Sequence, residues 1–298
     1  MRKFIFKFTL FSLPVIFYFI LAILVVPALL SSTKPSTLQQ IDKSFKNAIT
    51  RDYDLLILGN SRMYRGINPD EFSIKTFNFS HDNDSYNQLY YKLKYVIKKH
   101  KISYLILGID YFQFSLFSTS RNYAYGDYLG EEYLLDYSKR NLLRLKLDHY
   151  ISTINPKNFM AAIVNMNSMA TLRDNGQYIV PGIAKEDDFI SRKINRLEIQ
   201  ETYFDRIIGL CKNNNIKVFL VMLPVRSNEL NSYSKNEIAE FESYINKKVD
   251  KENVFYLNFS TNNNYRTEDY TDITHLSEKG AIKFSKMLND SIVNIIDQ

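Results

Sequence analysis

Residues 55–65 read LLILGNSRMYR, and the fold turns on how this stretch is taken. Four apolar residues, Leu55–Leu58, stop at Gly59-Asn60-Ser61. A short apolar run ended by a turn signal predicts a strand buried on both faces, as in a parallel sheet. Gly59 permits a sharp turn, and Asn60 or Ser61 can cap a helix that follows. A serine hydroxyl is thereby set just beyond the carboxyl end of a strand, where open α/β sheets carry their ligand sites. Taken alone, the stretch supports two readings: Asn-Ser as a plain helix cap, or Ser61 as a reacting group.

Working outward, the same rhythm recurs. Residues 75–80 (KTFNFS), 103–110 (SYLILGID), 216–224 (IKVFLVMLP) and 254–258 (VFYLN) predict four more strands. Between them lie amphipathic segments. Residues 86–100 place Leu89, Leu93, Val96 and Ile97 on one side, with caps available in 82–85. Residues 191–212 run to a stop at Asn213-Asn214-Asn215, and 234–249 open on a capping box of Ser234 and Glu237. Residues 277–296 form the last helix. Alternating strands and helices predict an α/β fold, a three-layer parallel sheet flanked by helices on both faces. One long segment, 111–190, breaks the rhythm with tyrosine-rich sequence and helical pieces at 131–151 and 156–172. An insertion at the carboxyl edge of a sheet serves as a lid or docking surface, or as a structural elaboration.

The amino end belongs to a different solvent. Arg2, Lys3 and Lys7 precede Phe8 to Leu30, a stretch without a charge and long enough to span a bilayer with some tilt. The basic residues predict a cytoplasmic amino terminus and an outward-facing remainder. The expected organisation is a basic start and single-pass signal anchor over 1–30, a tether over 31–50, and one domain over 51–298. Ala28-Leu29-Leu30-Ser31 leaves cleavage open as the alternative. The expected location is the inner or plasma membrane with the domain extracytoplasmic. The net charge of +6 is spread along the chain without a basic helix or an RNA-binding signature, which argues against nucleic acid as a partner. The single cysteine, Cys211, excludes an internal disulfide and any multi-cysteine metal site. Acidic residues lack metal-ligand spacing and no glycine-rich phosphate loop occurs, so neither a metal nor a cofactor is implied.

A second constellation stands just before the last helix: Thr271-Asp272-Ile273-Thr274-His275-Leu276-Ser277. A carboxylate three residues before a histidine lets both side chains meet from one turn. The carboxylate then holds one imidazole nitrogen while the other faces a nucleophile. A serine needs such a base, because its hydroxyl is barely ionised at neutral pH. Asp272 or Thr274 as a cap for the last helix is the plainer alternative.

Together, a strand–Gly-x-Ser turn near the start of the domain and Asp-x-x-His before its last helix resemble the SGNH (GDSL-like) hydrolase superfamily. The anchor and the GNSR start are similar to its bacterial cell-envelope members, which include D-alanyl-lipoteichoic acid transfer and alginate O-acetylation proteins. The resemblance implies a nucleophile at Ser61 and a base at His275 oriented by Asp272. It implies esters of an envelope glycan or glycolipid as substrates, with a membrane-bound acyl-transfer protein as a possible partner. It also implies oxyanion donors. Asn83 falls where the family carries a glycine whose N–H donates, and asparagine tolerates positive φ. Asp110 falls where the family carries an asparagine, and an ionised carboxylate cannot donate. That departure leaves open a slower site, a differently built one or a degenerate accessory protein. Arg62 is placed to bind an anionic substrate group or to form an ion pair, while His81 and Arg226 follow strands and can face the site.

Overall fold

The apolar runs become one parallel sheet in a computed structural model that describes residues 1–25, 37–118, 121–137, 142–157, 160, 170–188, 190–191, 193–262 and 264–297. Its strands are β1 (Leu55–Leu58), β2 (Thr76–Asn78), β3 (Tyr104–Gly108), β6 (Lys217–Met222) and β7 (Val254–Asn258). A separate antiparallel hairpin supplies β4 (Thr171–Leu172) and β5 (Tyr178–Ile179). The five-stranded sheet runs β2-β1-β3-β6-β7, every neighbouring pair parallel. The chain steps one way from β1 to β2, then returns past β1 to β3. The crevice between the carboxyl ends of β1 and β3 is therefore the topological switch point, where such sheets bind ligands.

The helices, in chain order, are α1 (Arg2–Ile20), α2 (Thr37–Thr50), α3 (Ser61–Gly66), α4 (Tyr86–Ile97), α5 (Asn122–Leu129) and α6 (Glu131–Tyr137). They continue with α7 (Leu142–Thr153), α8 (Glu198–Asn213), α9 (Ser227–Leu230), α10 (Lys235–Asn246) and α11 (Glu278–Ile296). Strand side chains alternate between faces. Leu55, Ile57, Ile106, Phe219 and Val221 meet Phe284, Leu288 and Ile292 of α11 in one core. On the other face α8 packs on β6 and on α4, with Phe204 of α8 against Tyr86 of α4 at 5.0 Å between ring centroids. A sheet covered on both faces explains why β1 is apolar at every position.

The chain divides into two compact units. The sheet unit is residues 43–119 and 171–298, and the other is 1–42 and 120–170. In the second, α1 runs on through a π-helical turn, Leu21–Val25, and residues 2–24 are long and apolar enough to cross a membrane. There the Tyr18 hydroxyl donates to the Ile154 carbonyl just past α7, at 2.5 Å. The segment expected as a 111–190 insertion thus gives 120–170 to that unit, while its flanks stay with the sheet. Of the helical piece expected at 131–151, 131–137 is α6 and 142–151 belongs to α7, while 138–141 lies outside the described residues. That at 156–172 lies mostly outside the described residues, and its last two residues are β4. Of the expected tether, 31–36 lies outside the described residues, whereas 37–50 is helical. Phe45 of α2 packs edge-on to Phe79 at 4.9 Å, so this part is anchored in the core.

Candidate active site

Six residues are too few to hold a helix by propensity alone, so α3 depends on tertiary bonds. Asn78 of β2 donates to the Met63 carbonyl at 2.8 Å, and Gln177 of the hairpin donates to the Arg65 carbonyl at 3.1 Å. Tyr64 stacks on Tyr178 at 5.1 Å. Underneath, Met63 fills the space left by two glycines. A Cβ on Gly59 would lie 2.2 Å from Met63 Cγ, and one on Gly108 would lie 2.3 Å from it. The start of α3 is thus fixed over the switch point.

At that start Asn60 and Ser61 take separate parts. Asn60 is the cap, its Oδ1 accepting the Arg62 N–H at 2.9 Å. Ser61 is the first helical residue, and its hydroxyl is left for another partner. That partner is His275, whose Nε2 lies 2.8 Å from Ser61 Oγ. His275 Nδ1 lies 2.8 and 2.9 Å from the two oxygens of Asp272. Asp272 does not cap the last helix, a role that Ser277 fills through the Gly280 N–H. Its Oδ1 instead accepts the N–H groups of Thr274 and His275, at 2.8 and 3.0 Å, tightening the turn that carries the imidazole. Burial pushes the Asp272 carboxyl up. The hydrogen bond and charge of His275, with the two backbone donors, outweigh it and hold the carboxyl well below its ordinary range.

Two further groups touch this pair. The Thr274 hydroxyl is 3.0 Å from His275 Nδ1 and donates to Asp272 at 3.2 Å. Arg65 sets Nη1 3.5 Å from His275 Nδ1 and 4.0 Å from Asp272 Oδ2. The same guanidinium is held by Asp82, with Nη2 3.0 Å from each carboxylate oxygen. Arg65 follows Ser61 by four residues and so shares its helix face, a spacing that could have singled it out in the sequence. Asp82 carried no such signal.

The other expected site residues are placed differently. Arg62 is 6% exposed, and its guanidinium pairs with Glu229 of α9, itself 1% exposed. Burial opposes its charge, but Glu229 and Asp110 more than offset this and keep it protonated. Buried against its own counter-ion, Arg62 cannot receive an anionic substrate group. Asp110 accepts from the Asn60 amide at 2.7 Å and from the Phe112 and Gln113 N–H groups at 2.8 and 2.7 Å. It is an acceptor throughout and no oxyanion donor. Its bond does settle the Asn60 amide, whose nitrogen faces Asp110 while its oxygen faces the Arg62 N–H. His81 is buried against the rings of Phe79 and Tyr64, with Nδ1 3.2 Å from Lys92 Nζ, so it serves the core and cannot face a substrate. Arg226 is also buried, donating to the Lys185 carbonyl at 2.7 Å. Asn83 is exposed at φ +61°, in the left-handed region that asparagine tolerates. Among the described residues no group of three or more His, Cys, Asp or Glu is arranged to hold a metal ion.

A protein-family model matches residues 182–297, the stretch that holds β6, β7 and the 272–275 turn. No curated protein matches the chain. Among solved structures, the chain is similar to the crystal structure of a "putative acylhydrolase" from Bacteroides fragilis. Identity is 11% and the TM-score 0.41, over 89% of this chain and 100% of that one.

Proposed function

We propose that this chain is a serine esterase or O-acyltransferase of the SGNH type, held at a membrane by α1 with its sheet unit outside the cytoplasm. The substrate in this reading is an ester of an envelope polysaccharide or glycolipid. The observation that carries it is His275 set between Ser61 and Asp272, with Nε2 2.8 Å from the hydroxyl and Nδ1 2.8 Å from the carboxylate.

Ser61 Oγ adds to the acyl carbon as its proton passes to His275 Nε2, and Asp272 stabilises the imidazolium. The bond to the leaving oxygen then breaks, and that oxygen departs with the proton from Nε2. The acyl group is left on Ser61. An acceptor hydroxyl next gives its proton to Nε2, adds to the acyl carbon, and Ser61 leaves reprotonated. Water as acceptor releases a free acid; a sugar hydroxyl completes a transfer. For a transferase, a membrane-bound acyl-transfer protein is the natural acyl donor. The tetrahedral oxyanion needs donors in place before it forms. Ser61 N–H has no intrahelical acceptor, being first in α3. We assign it with Asn83 N–H and the second hydrogen of the Asn60 amide, which Asp110 orients.

Labelling by a fluorophosphonate tests this reading: the folded wild-type chain should be tagged, and Ser61→Ala should not. A wild type that takes no label, with acyl release unchanged in His275→Ala, would refute it. The acceptor-only Asp110 favours a second reading, a catalytically degenerate accessory protein that binds or assembles envelope glycan. Glycan binding unaffected by Ser61→Ala, in a chain that takes no label, would select that one.

A further inference from the structure

Outside α1 and its π-helical turn, six large apolar side chains are exposed among the described residues: Phe117, Leu143, Leu147, Ile151, Met160 and Ile183. Four of them, Leu143 to Met160, belong to the unit that holds α1. Three lie on α7 at intervals of four residues, with Leu143, Leu147 and Ile151 exposed by 67, 51 and 62%. That spacing sets them in one stripe along the helix. Another side of α7 is already occupied. It packs on α5, where Lys146 Nζ lies 2.8 Å from Asp127. Arg144 and Asp148, exposed as well, follow Leu143 and Leu147 and border the stripe.

The neighbour of α7 indicates what covers this stripe. α7 packs on the Leu21–Val25 turn, where Ala22 is buried while Ile23 and Leu24 stay exposed. Just past α7, the Ile154 carbonyl accepts the Tyr18 hydroxyl. Tyr18 stands six residues before Leu24, the end of the segment able to cross a membrane. At about 1.5 Å per residue, that is about 9 Å inside the apolar end. The bond holds Ile154 at the same level, so the end of α7 lies below the surface of any bilayer that α1 crosses. Helices that lie in a membrane interface bury their apolar face by about 5–10 Å. A protein partner on the stripe would have to enter the bilayer beside α1, whereas lipid is there already.

We propose that α7 is a second membrane contact, an interfacial helix that sets Leu143, Leu147 and Ile151 among the acyl chains of the leaflet beside Leu24. It rests on α1 as a membrane span and is independent of the chemistry at Ser61. The chain contains no tryptophan, so one introduced indole reports alone when excited beyond tyrosine absorption. Leu143→Trp, Leu147→Trp and Ile151→Trp are each made in the full chain and reconstituted into phosphatidylcholine vesicles. They are compared with Phe11→Trp, in the middle of α1, and with Lys235→Trp, exposed on the sheet unit. The α7 indoles should emit to the blue of Lys235→Trp. Bromine placed high on the lipid acyl chains should quench them, and bromine at the bilayer centre should quench Phe11→Trp more than them. Thermal unfolding verifies that the variants are folded, and any one folded α7 variant suffices. α7 emission that matches Lys235→Trp and escapes bromine, while Phe11→Trp is quenched, overturns the second contact and leaves the anchor standing. Blue emission that bromine does not quench means that protein, such as a second copy of the chain, covers the stripe, and overturns it too. Phe11→Trp unquenched by bromine at either depth refutes the span itself.

Discussion

Asp272 carries the clearest electrostatic consequence at the residue scale. Its carboxyl titrates below the ordinary value of 3.8 in the folded chain. Where a folded pKa is depressed, the unfolded state takes up protons first as pH falls. The stabilisation is therefore complete above the ordinary value and is lost on descent toward the folded one. Asp272→Asn should cost stability at neutral pH, and its gap to wild type should narrow by about pH 3. Denaturant unfolding at the two pH values reads this, and a constant gap contradicts it. Turnover of the same variant should fall by roughly 10³–10⁴, since an amide no longer fixes the imidazole tautomer or balances its charge. Arg65 is a positioning residue in this scheme, acting on Asp272 and His275 from its seat on Asp82. Arg65→Met should lower kcat by on the order of tenfold to a hundredfold through a displaced imidazole, with KM little changed. Loss confined to KM would instead make Arg65 a substrate contact. The meeting of Ser61, Asp272 and His275 was legible because each lies in a short local pattern. The fates of Arg62 and Asp110 were not, because each was decided by a partner distant in sequence. Glu229 lies 167 residues from Arg62, and Asn60 lies 50 from Asp110.

Among the elements, α3 determines whether those residues meet. Gly59 and Gly108 face each other across β1 and β3 with Met63 lodged above both, and the approach tolerates no added methyl. Gly108→Ala should destabilise by about 1–3 kcal/mol, the usual cost of overpacking. It should also slow fluorophosphonate labelling, because the displaced helix carries Ser61. Combining it with Met63→Ala should restore part of both losses, and strict additivity in that double-mutant cycle would refute the contact. Glu229 ties α9 to the same helix. Glu229→Gln leaves the Arg62 charge buried with only Asp110 nearby, and should cost about 3 kcal/mol, read from the denaturant midpoint. The strands were readable because a sheet covered on both faces demands unbroken apolar runs, and residues 254–258 coincide with β7. The hairpin was not. Its four strand residues are held by their seat on β2, where Asn78 N–H donates to the Asn175 carbonyl at 3.0 Å and Gly176, at φ +93°, lies directly over Asn78. Likewise α2 begins in Thr- and Gln-rich sequence that looks like linker, and its later half is recruited by burial of Phe45 and Ala48.

For the whole molecule, the decisive contrast is between α1 and the sheet unit. Within residues 2–24, the most apolar window of 18 has a mean hydropathy of 2.1 and no buried residue, which water tolerates poorly and a bilayer favours. The sheet unit instead buries its apolar residues and gathers Ser61, His275 and Asp272 at the carboxyl edge of its sheet. Arg2, Lys3 and Lys7 lie at the amino-terminal end of this helix, and next to a membrane-crossing segment such residues resist translocation. The arrangement predicts opposite sides of one membrane for Lys3 and for Lys235, an exposed residue at the start of α10. Cysteine chemistry can read this directly, because the sole native thiol, Cys211, is buried and its pKa is raised by that burial. In bacterial cells making Lys235→Cys, a membrane-impermeant maleimide applied from outside the cytoplasmic membrane should label the chain without lysis. Lys3→Cys should be labelled only after the membrane is opened, and the parent chain should stay dark in both conditions. Labelling of Lys3→Cys but not Lys235→Cys in intact spheroplasts would reverse the topology. It would also place Ser61 and its turn on the cytoplasmic side, away from any envelope glycan.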